Sequence, residues 1–72
     1  MKTMSFTAKQ VAKRLKAQRE ALGVSQGAVA DAAGIDRKTV NRIENCHFSP
    51  SLDTFFRICV ALDVEPEKVI SD

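Results

Sequence analysis

Four side chains able to address a polyanion cluster in the middle of this 72-residue chain: Arg37, Lys38, Asn41 and Arg42. At helical spacing Lys38, Asn41, Arg42 and Asn45 fall on one arc, Arg37 stands at its N-terminal end, and Val40 and Ile43 point the opposite way. The chemistry such an arc offers is hydrogen bonding rather than bond making. Arg and Lys donate to guanine O6 and N7, and the Asn amide matches the N6 and N7 edge of adenine. Other chemistries are poorly supplied. Cys46, His47 and Cys59 are too few for a closed zinc site and form no CxxC pair. Cys59 lies in an apolar helical stripe and reads as core, whereas Cys46 lies in a turn and is a candidate redox-sensing thiol. No acid–base pair accompanies a nucleophile, and no glycine-rich loop could cradle a phosphate. The sequence therefore predicts no enzyme, no metal and no cofactor.

Composition agrees with a small binding unit. A chain of 72 residues with 44% hydrophobic content makes one domain and has no room for a second. No apolar run approaches the roughly 18 residues of a membrane span, and the N-terminus carries no signal-peptide pattern, so a cytoplasmic protein without membrane contact is expected. The net charge of +2 hides a division. Residues 1–42 hold nine Lys and Arg against three acids, a balance of +6. Residues 43–72 hold two against six, a balance of −4. The basic half suits a polyanion and the acidic half would face away from it.

The elements that must position the basic arc are all helical. Three glycines, two prolines and no strand pattern leave little for a sheet. Residues 1–6 read as an N-terminal tail and 7–72 as a single all-α domain of five helices. Thr7 and Gln10 form a capping box for a first helix reaching about Ala21, with Gly23 as its stop. Its apolar face carries Ala8, Val11, Ala12, Leu15 and Leu22, and Arg19 intrudes on that face, where a cation needs a fixed partner. Ser25 caps a second helix, Gln26 to Ala33, stopped by Gly34, and Asp36 caps a third running to about Asn45. Ser51 caps a fourth, to about Leu62, whose apolar set covers more than half its circumference. That width predicts a central helix or one that meets another chain. Pro66 opens a short fifth helix carrying Val69 and Ile70.

Residues 26–45 are thus two short helices joined by a glycine-containing turn, the helix-turn-helix signature. Ala30 is small where the helices cross, and Val29, Ala33, Ile35, Val40 and Ile43 form the seam between them. The chain resembles the Cro/phage-repressor-type, or XRE, helix-turn-helix family. The resemblance rests on Ser25-Gln26, Ala30-Asp-Ala-Ala33-Gly34-Ile35, Val40-Asn-Arg-Ile43-Glu44 and Pro50-Ser-Leu-Asp-Thr-Phe55, and it spans about residues 9–70. It implies a lambda-repressor-like domain binding double-stranded operator DNA, as a homodimer on a near-palindromic site. It also implies that the third helix reads base edges, that Gln26 contacts a phosphate, and that Arg19 pairs with Glu44. Two departures stand out. Cys46 occupies a position where the family often has glycine, so Asn45 is expected to supply the left-handed residue. Gly27 replaces a common acidic helix former, at a cost of roughly 1 kcal/mol to the second helix.

The expected roles follow. Arg37, Lys38, Asn41 and Arg42 read bases. Gln26, Thr39 and Asn45 anchor phosphates, and Lys9, Lys13 and Lys16 add a diffuse field. Phe56, Val60, Val64, Val69 and Ile70 are candidates for the dimer surface. A prokaryotic or phage transcriptional repressor is the leading expectation. An antitoxin whose Leu52-x-x-Phe55-Phe56 stretch also holds a toxin, or a protein adaptor without DNA affinity, are the alternatives. Because the chain ends just after the fifth helix, no effector or protease domain is expected.

Overall fold

A computed structural model describes residues 7–71 as five helices: α1 (Ala8–Ala21), α2 (Gln26–Ala33), α3 (Arg37–Glu44), α4 (Leu52–Ala61) and α5 (Pro66–Ile70). The expected 1–6 tail lies outside the described residues. Local chemistry sets most boundaries. The Gln10 amide donates to Thr7 Oγ1 and the Thr7 amide to Gln10 Oε1, closing the capping box of α1. Ser25 Oγ accepts from the Ala28 amide at 3.0 Å, and Ser51 Oγ accepts from the Thr54 amide at 3.1 Å. Asp36 occupies the N-cap of α3 but makes no side-chain capping bond. Its carboxylate still sits favourably at the positive end of the helix. Gly34 ends α2 at φ 71°, and the Ile35 amide then folds back onto the Ala30 carbonyl at 2.9 Å. That left-handed step disfavours any residue with a Cβ, and it fixes the direction in which α3 departs.

α2 packs on both α3 and α4, while α1 packs on α3 and α5. The core joins Leu15 of α1, Val29, Ala30 and Ala33 of α2, and Val40 and Ile43 of α3 to Phe55, Ile58, Cys59 and Leu62 around α4 and Val69 of α5. Leu15 and Leu62 are 2% and 1% exposed. Burying such a side chain stabilises the fold by about 1.5–3 kcal/mol. Ala30 is 2% exposed between its neighbours, and its small side chain lets α2 lie close to them. α5 is held from outside the core as well. Arg14 of α1 donates to the Val69 carbonyl at 3.3 Å and to that of Ser71, both at the C-terminal end of α5. Gln18 donates to the Leu62 carbonyl at 3.1 Å, where α4 ends.

Four expectations need correction. Ala8 and Leu22, assigned to the inward face of α1, are exposed, Leu22 by 47%. The chain turns just beyond Ala21, and Val24 packs against the core instead. Val69 is 2% exposed, so as a candidate for a dimer surface it is displaced into the core by the fold-back of α5. Val64 is half-buried against the same core. The left-handed residue after α3 is Cys46, at φ 62°, and not Asn45, which keeps φ −94° and ψ 10°. The reason is register: the His47 amide must reach the Arg42 carbonyl, at 2.8 Å, and that closure places the reversal at residue 46.

Candidate nucleic-acid interface

α3 turns Val40 and Ile43 inward, both at most 3% exposed, which leaves its other face to solvent. Arg37, Lys38, Asn41 and Arg42 are all exposed on that face, Asn45 is exposed just beyond it, and Thr39 is half-buried. Gln26, the first residue of α2, closes one side of the surface. A cleft of about 310 Å³ is lined by Gln26, Arg37, Lys38, Asn41 and Arg42. The turn geometry at Gly34 therefore brings one residue from α2 and four from α3 to a single site. Lys9, Lys13 and Lys16 are exposed along α1. The Asn45 amide donates to the Asn41 carbonyl at 2.9 Å and so closes the C-terminal end of α3.

Beneath this surface lies a buried ion pair. Arg19 Nε donates to Glu44 Oε2 at 2.7 Å, and Arg19 Nη2 donates to Glu44 Oε1 at 3.1 Å. The geometry is bidentate, the arrangement that best matches a guanidinium to a carboxylate. The Arg19 side chain is 13% exposed and that of Glu44 is 5% exposed. Arg19 Nη1 donates to the Val24 carbonyl at 3.0 Å, so the cation also secures the loop between α1 and α2. Its hydrogen bond to Glu44 raises the Arg19 pKa above the ordinary guanidinium value, against the opposing effect of burial. Among the described residues no buried side-chain nitrogen or oxygen lacks a partner, the condition under which a polar cluster can be held in a small core.

Gln26 is more than a surface residue. Its Nε2 donates to Glu44 Oε1 at 3.0 Å, and its Oε1 accepts from Asn41 Nδ2 at 3.4 Å. Sequence reasoning gave Gln26 only an outward role, because the bond to Glu44 joins the start of one helix to the end of the next. Neither helical spacing nor composition signals such a contact. Arg14 was missed as the clamp on α5 for the same reason.

A second surface is apolar. Leu52, Phe56 and Val60 follow one another at four-residue spacing along α4 and are 73%, 48% and 82% exposed. Phe48 and Ile70, each 48% exposed, join Leu52 and Phe56 around a groove of about 320 Å³ beside α1. The wide apolar face of α4 thus has two uses: Phe55, Ile58 and Cys59, with Leu62 at its end, are buried, and Leu52, Phe56 and Val60 are left uncovered.

The arrangement of α2, the Gly34 turn and α3, with polar and basic side chains on the outer face of α3, is that of a DNA-reading motif. The model of the helix-turn-helix family HTH_3 matches residues 15–69. The chain belongs to this family. It is 42% identical over 52 residues to a protein of Methanocaldococcus jannaschii named as an HTH-type transcriptional regulatory protein. That match takes in 72% of this chain and 16% of the relative, so the chain spans about a sixth of the relative's length. Among solved structures it is similar to the restriction-modification controller protein C.AhdI from Aeromonas hydrophila, with a TM-score of 0.84 and 32% identity. That likeness covers 88% of this chain and 96% of the controller protein. The P22 c2 repressor, solved in complex with a synthetic operator, shares the fold, with a TM-score of 0.78 at 20% identity over 85% of this chain and 92% of that one. The all-α, lambda-repressor-like architecture is therefore that of known transcriptional regulators. Among the described residues no helix is long and apolar enough to cross a membrane.

Proposed function

We propose that this helix-turn-helix protein is a transcriptional regulator acting as a repressor: it binds double-stranded DNA in a sequence-specific way, laying α3 in the major groove. The observation that carries this reading is the convergence of Gln26, Arg37, Lys38, Asn41 and Arg42 on one cleft at the exposed face of α3. Those residue types complement base edges and phosphates, and the +6 balance of residues 1–42 adds attraction toward the duplex. In this reading Arg37, Lys38, Asn41 and Arg42 read bases, while Gln26, Thr39 and Asn45 anchor phosphates. Repression follows where the bound site overlaps a promoter. The place of action is the cytoplasm of a prokaryote or phage-infected cell.

A single α3 reaches few base pairs, so the DNA is a near-palindromic operator and the working unit a homodimer. The exposed apolar residues Phe56, Val60 and Ile70 supply the pairing surface. The Leu52, Phe56 and Val60 stripe also suits a toxin partner, which gives an antitoxin as the second reading. Selection of bound sites from a random DNA library tests the proposal. Expected is a preferred sequence with two related half-sites whose centres lie about 10–10.5 base pairs, or a multiple of that, apart. Recovery of no preferred sequence would refute it and would favour a protein adaptor on the same fold. A preferred single half-site, with a monomer by light scattering, would remove the homodimer.

A further inference from the structure

A chain of hydrogen bonds runs from the core to the DNA-facing surface, and its polarity is dictated at the buried end. Glu44 accepts from Nε and Nη2 of Arg19 and, as a carboxylate, has only acceptors to offer. Gln26 must therefore present its NH₂ group to Glu44, which it does at 3.0 Å. With that end fixed, the Gln26 carbonyl oxygen is the end left for Asn41, and Asn41 must answer with a donor, as its Nδ2 does at 3.4 Å. An exposed asparagine ordinarily flips its amide at little cost, and each flip exchanges donor for acceptor. Here the flipped form would set the Asn41 carbonyl oxygen against that of Gln26.

The consequence concerns the outer edge of Asn41. One N–H of its amide goes to Gln26, and what remains is a second N–H beside Oδ1. A donor next to an acceptor complements the N7 acceptor and N6 donor of adenine in the major groove. Guanine presents acceptors at both N7 and O6, and a locked asparagine meets one of them with its own oxygen. We propose that Asn41 specifies an adenine, and that Gln26 is a positioning residue which sets this preference under the direction of Glu44. The inference rests on the DNA-reading function proposed above and deepens it. It gives Gln26 a part in base choice, in addition to any phosphate contact it makes.

The two parts of that role separate experimentally. A phosphate contact changes affinity for all sequences alike, whereas a positioning role changes the preference at one base pair. The full chain and its Asn41→Ala, Gln26→Leu and doubly substituted forms are taken through selection from a random DNA library. Affinities are then measured on the preferred operator and on operators with each base pair replaced in turn. Asn41→Ala is expected to flatten an adenine preference of about 5- to 150-fold at one position in each half-site. Gln26→Leu, which keeps the bulk and removes the amide, is expected to reduce the preference at that same position several-fold while other positions hold. In the Asn41→Ala background Gln26→Leu should change no base preference further. Glu44→Gln, checked for folding by circular dichroism, should blur the same position, because an amide at residue 44 no longer dictates the orientation of Gln26.

The proposal is overturned if Gln26→Leu lowers affinity equally on every operator, or if the position lost in Asn41→Ala is not an adenine. Both results leave sequence-specific binding intact. A wild-type chain that selects no sequence overturns DNA reading itself, and this inference with it.

Discussion

Removal of the Glu44 carboxylate tests the ion pair on which α1, α2 and α3 converge. Glu44→Ala strands three donors at once: Nε and Nη2 of Arg19, and Nε2 of Gln26. Breaking a buried pair by deleting one partner costs about 3–5 kcal/mol, because the remaining charge is left uncompensated. The low end applies here. The Arg19 side chain is 13% exposed and keeps the Val24 carbonyl, so it can recover some hydration. A loss of about 3 kcal/mol corresponds to a fall in Tm of roughly 12–24 °C for a domain of this size. Thermal melts followed by circular dichroism, with urea titrations alongside, measure it directly.

The companion variant separates charge from packing. Arg19→Met/Glu44→Met replaces both ions with apolar side chains of similar length, and such exchanges are often near neutral. The double variant is therefore expected to be more stable than Glu44→Ala, with a coupling of at least about 1 kcal/mol in the full cycle. A Glu44→Ala melt within about 2 °C of wild type, on a scale of about 4–8 °C per kcal/mol, would refute the reasoning. Strict additivity of the two single losses would do the same. The contribution of the cation should also be flat with pH. The folded-state pKa of Arg19 is raised, so its share is fully present below the ordinary guanidinium value and is lost only above it, beyond any working range.

Other substitutions probe the site and the backbone. Arg37→Ala or Arg42→Ala should cost about 1–3 kcal/mol on the selected operator if the side chain reads a base, and an equal loss on scrambled DNA would make it a phosphate contact. Cys46→Gly should stabilise the fold by about 0.5–1 kcal/mol, since relief of a left-handed Cβ, about 1–2 kcal/mol, exceeds the added freedom of the unfolded chain; a lower Tm would contradict this. Gly27→Ala should stabilise α2 by about 0.5–1 kcal/mol in urea titrations, because the added methyl meets Ser25 Oγ at 3.8 Å and Arg37 Cδ at 3.9 Å, both ordinary contacts. Burial raises the Cys59 pKa, so its thiol supports the fold below the usual thiol value and that support fades as pH rises through the raised one. Stability curves above about pH 9 should accordingly fall more steeply for wild type than for Cys59→Ala.

Most helix boundaries were legible because the interactions that decide them are local; the residue that ends α3 was the exception, since the His47–Arg42 closure puts the reversal at Cys46. Thr7 with Gln10, Ser25, Ser51, Gly34 and Pro66 act within a few residues of themselves, and each stands at a helix boundary. Arg19 was legible by contradiction, as a cation placed on an apolar face. Its bond to Glu44 crosses 25 residues, beyond the reach of any helical spacing. Val69 and Ile70 could not be told apart in advance. A helix of five residues is too short for periodicity to choose a face, and the structure buries Val69 while leaving Ile70 48% exposed.

Legibility at the site failed for a related reason. Residue types predicted a surface able to bond with bases and phosphates, and the exposed face of α3 carries those residues. Types alone, however, do not orient an amide. Asparagine and glutamine present a donor and an acceptor that exchange on rotation, so the pattern they offer to DNA depends on what holds them from behind. In this chain the support originates in an ion pair that would otherwise be read as purely structural. A carboxylate can serve here because it cannot reverse its own polarity, which an amide or a hydroxyl at residue 44 would be free to do. The same negative charge that anchors Arg19 also fixes the orientation of Gln26 and, through it, of Asn41, so one side chain contributes both to the stability of the fold and to the hydrogen bonds that Asn41 can offer.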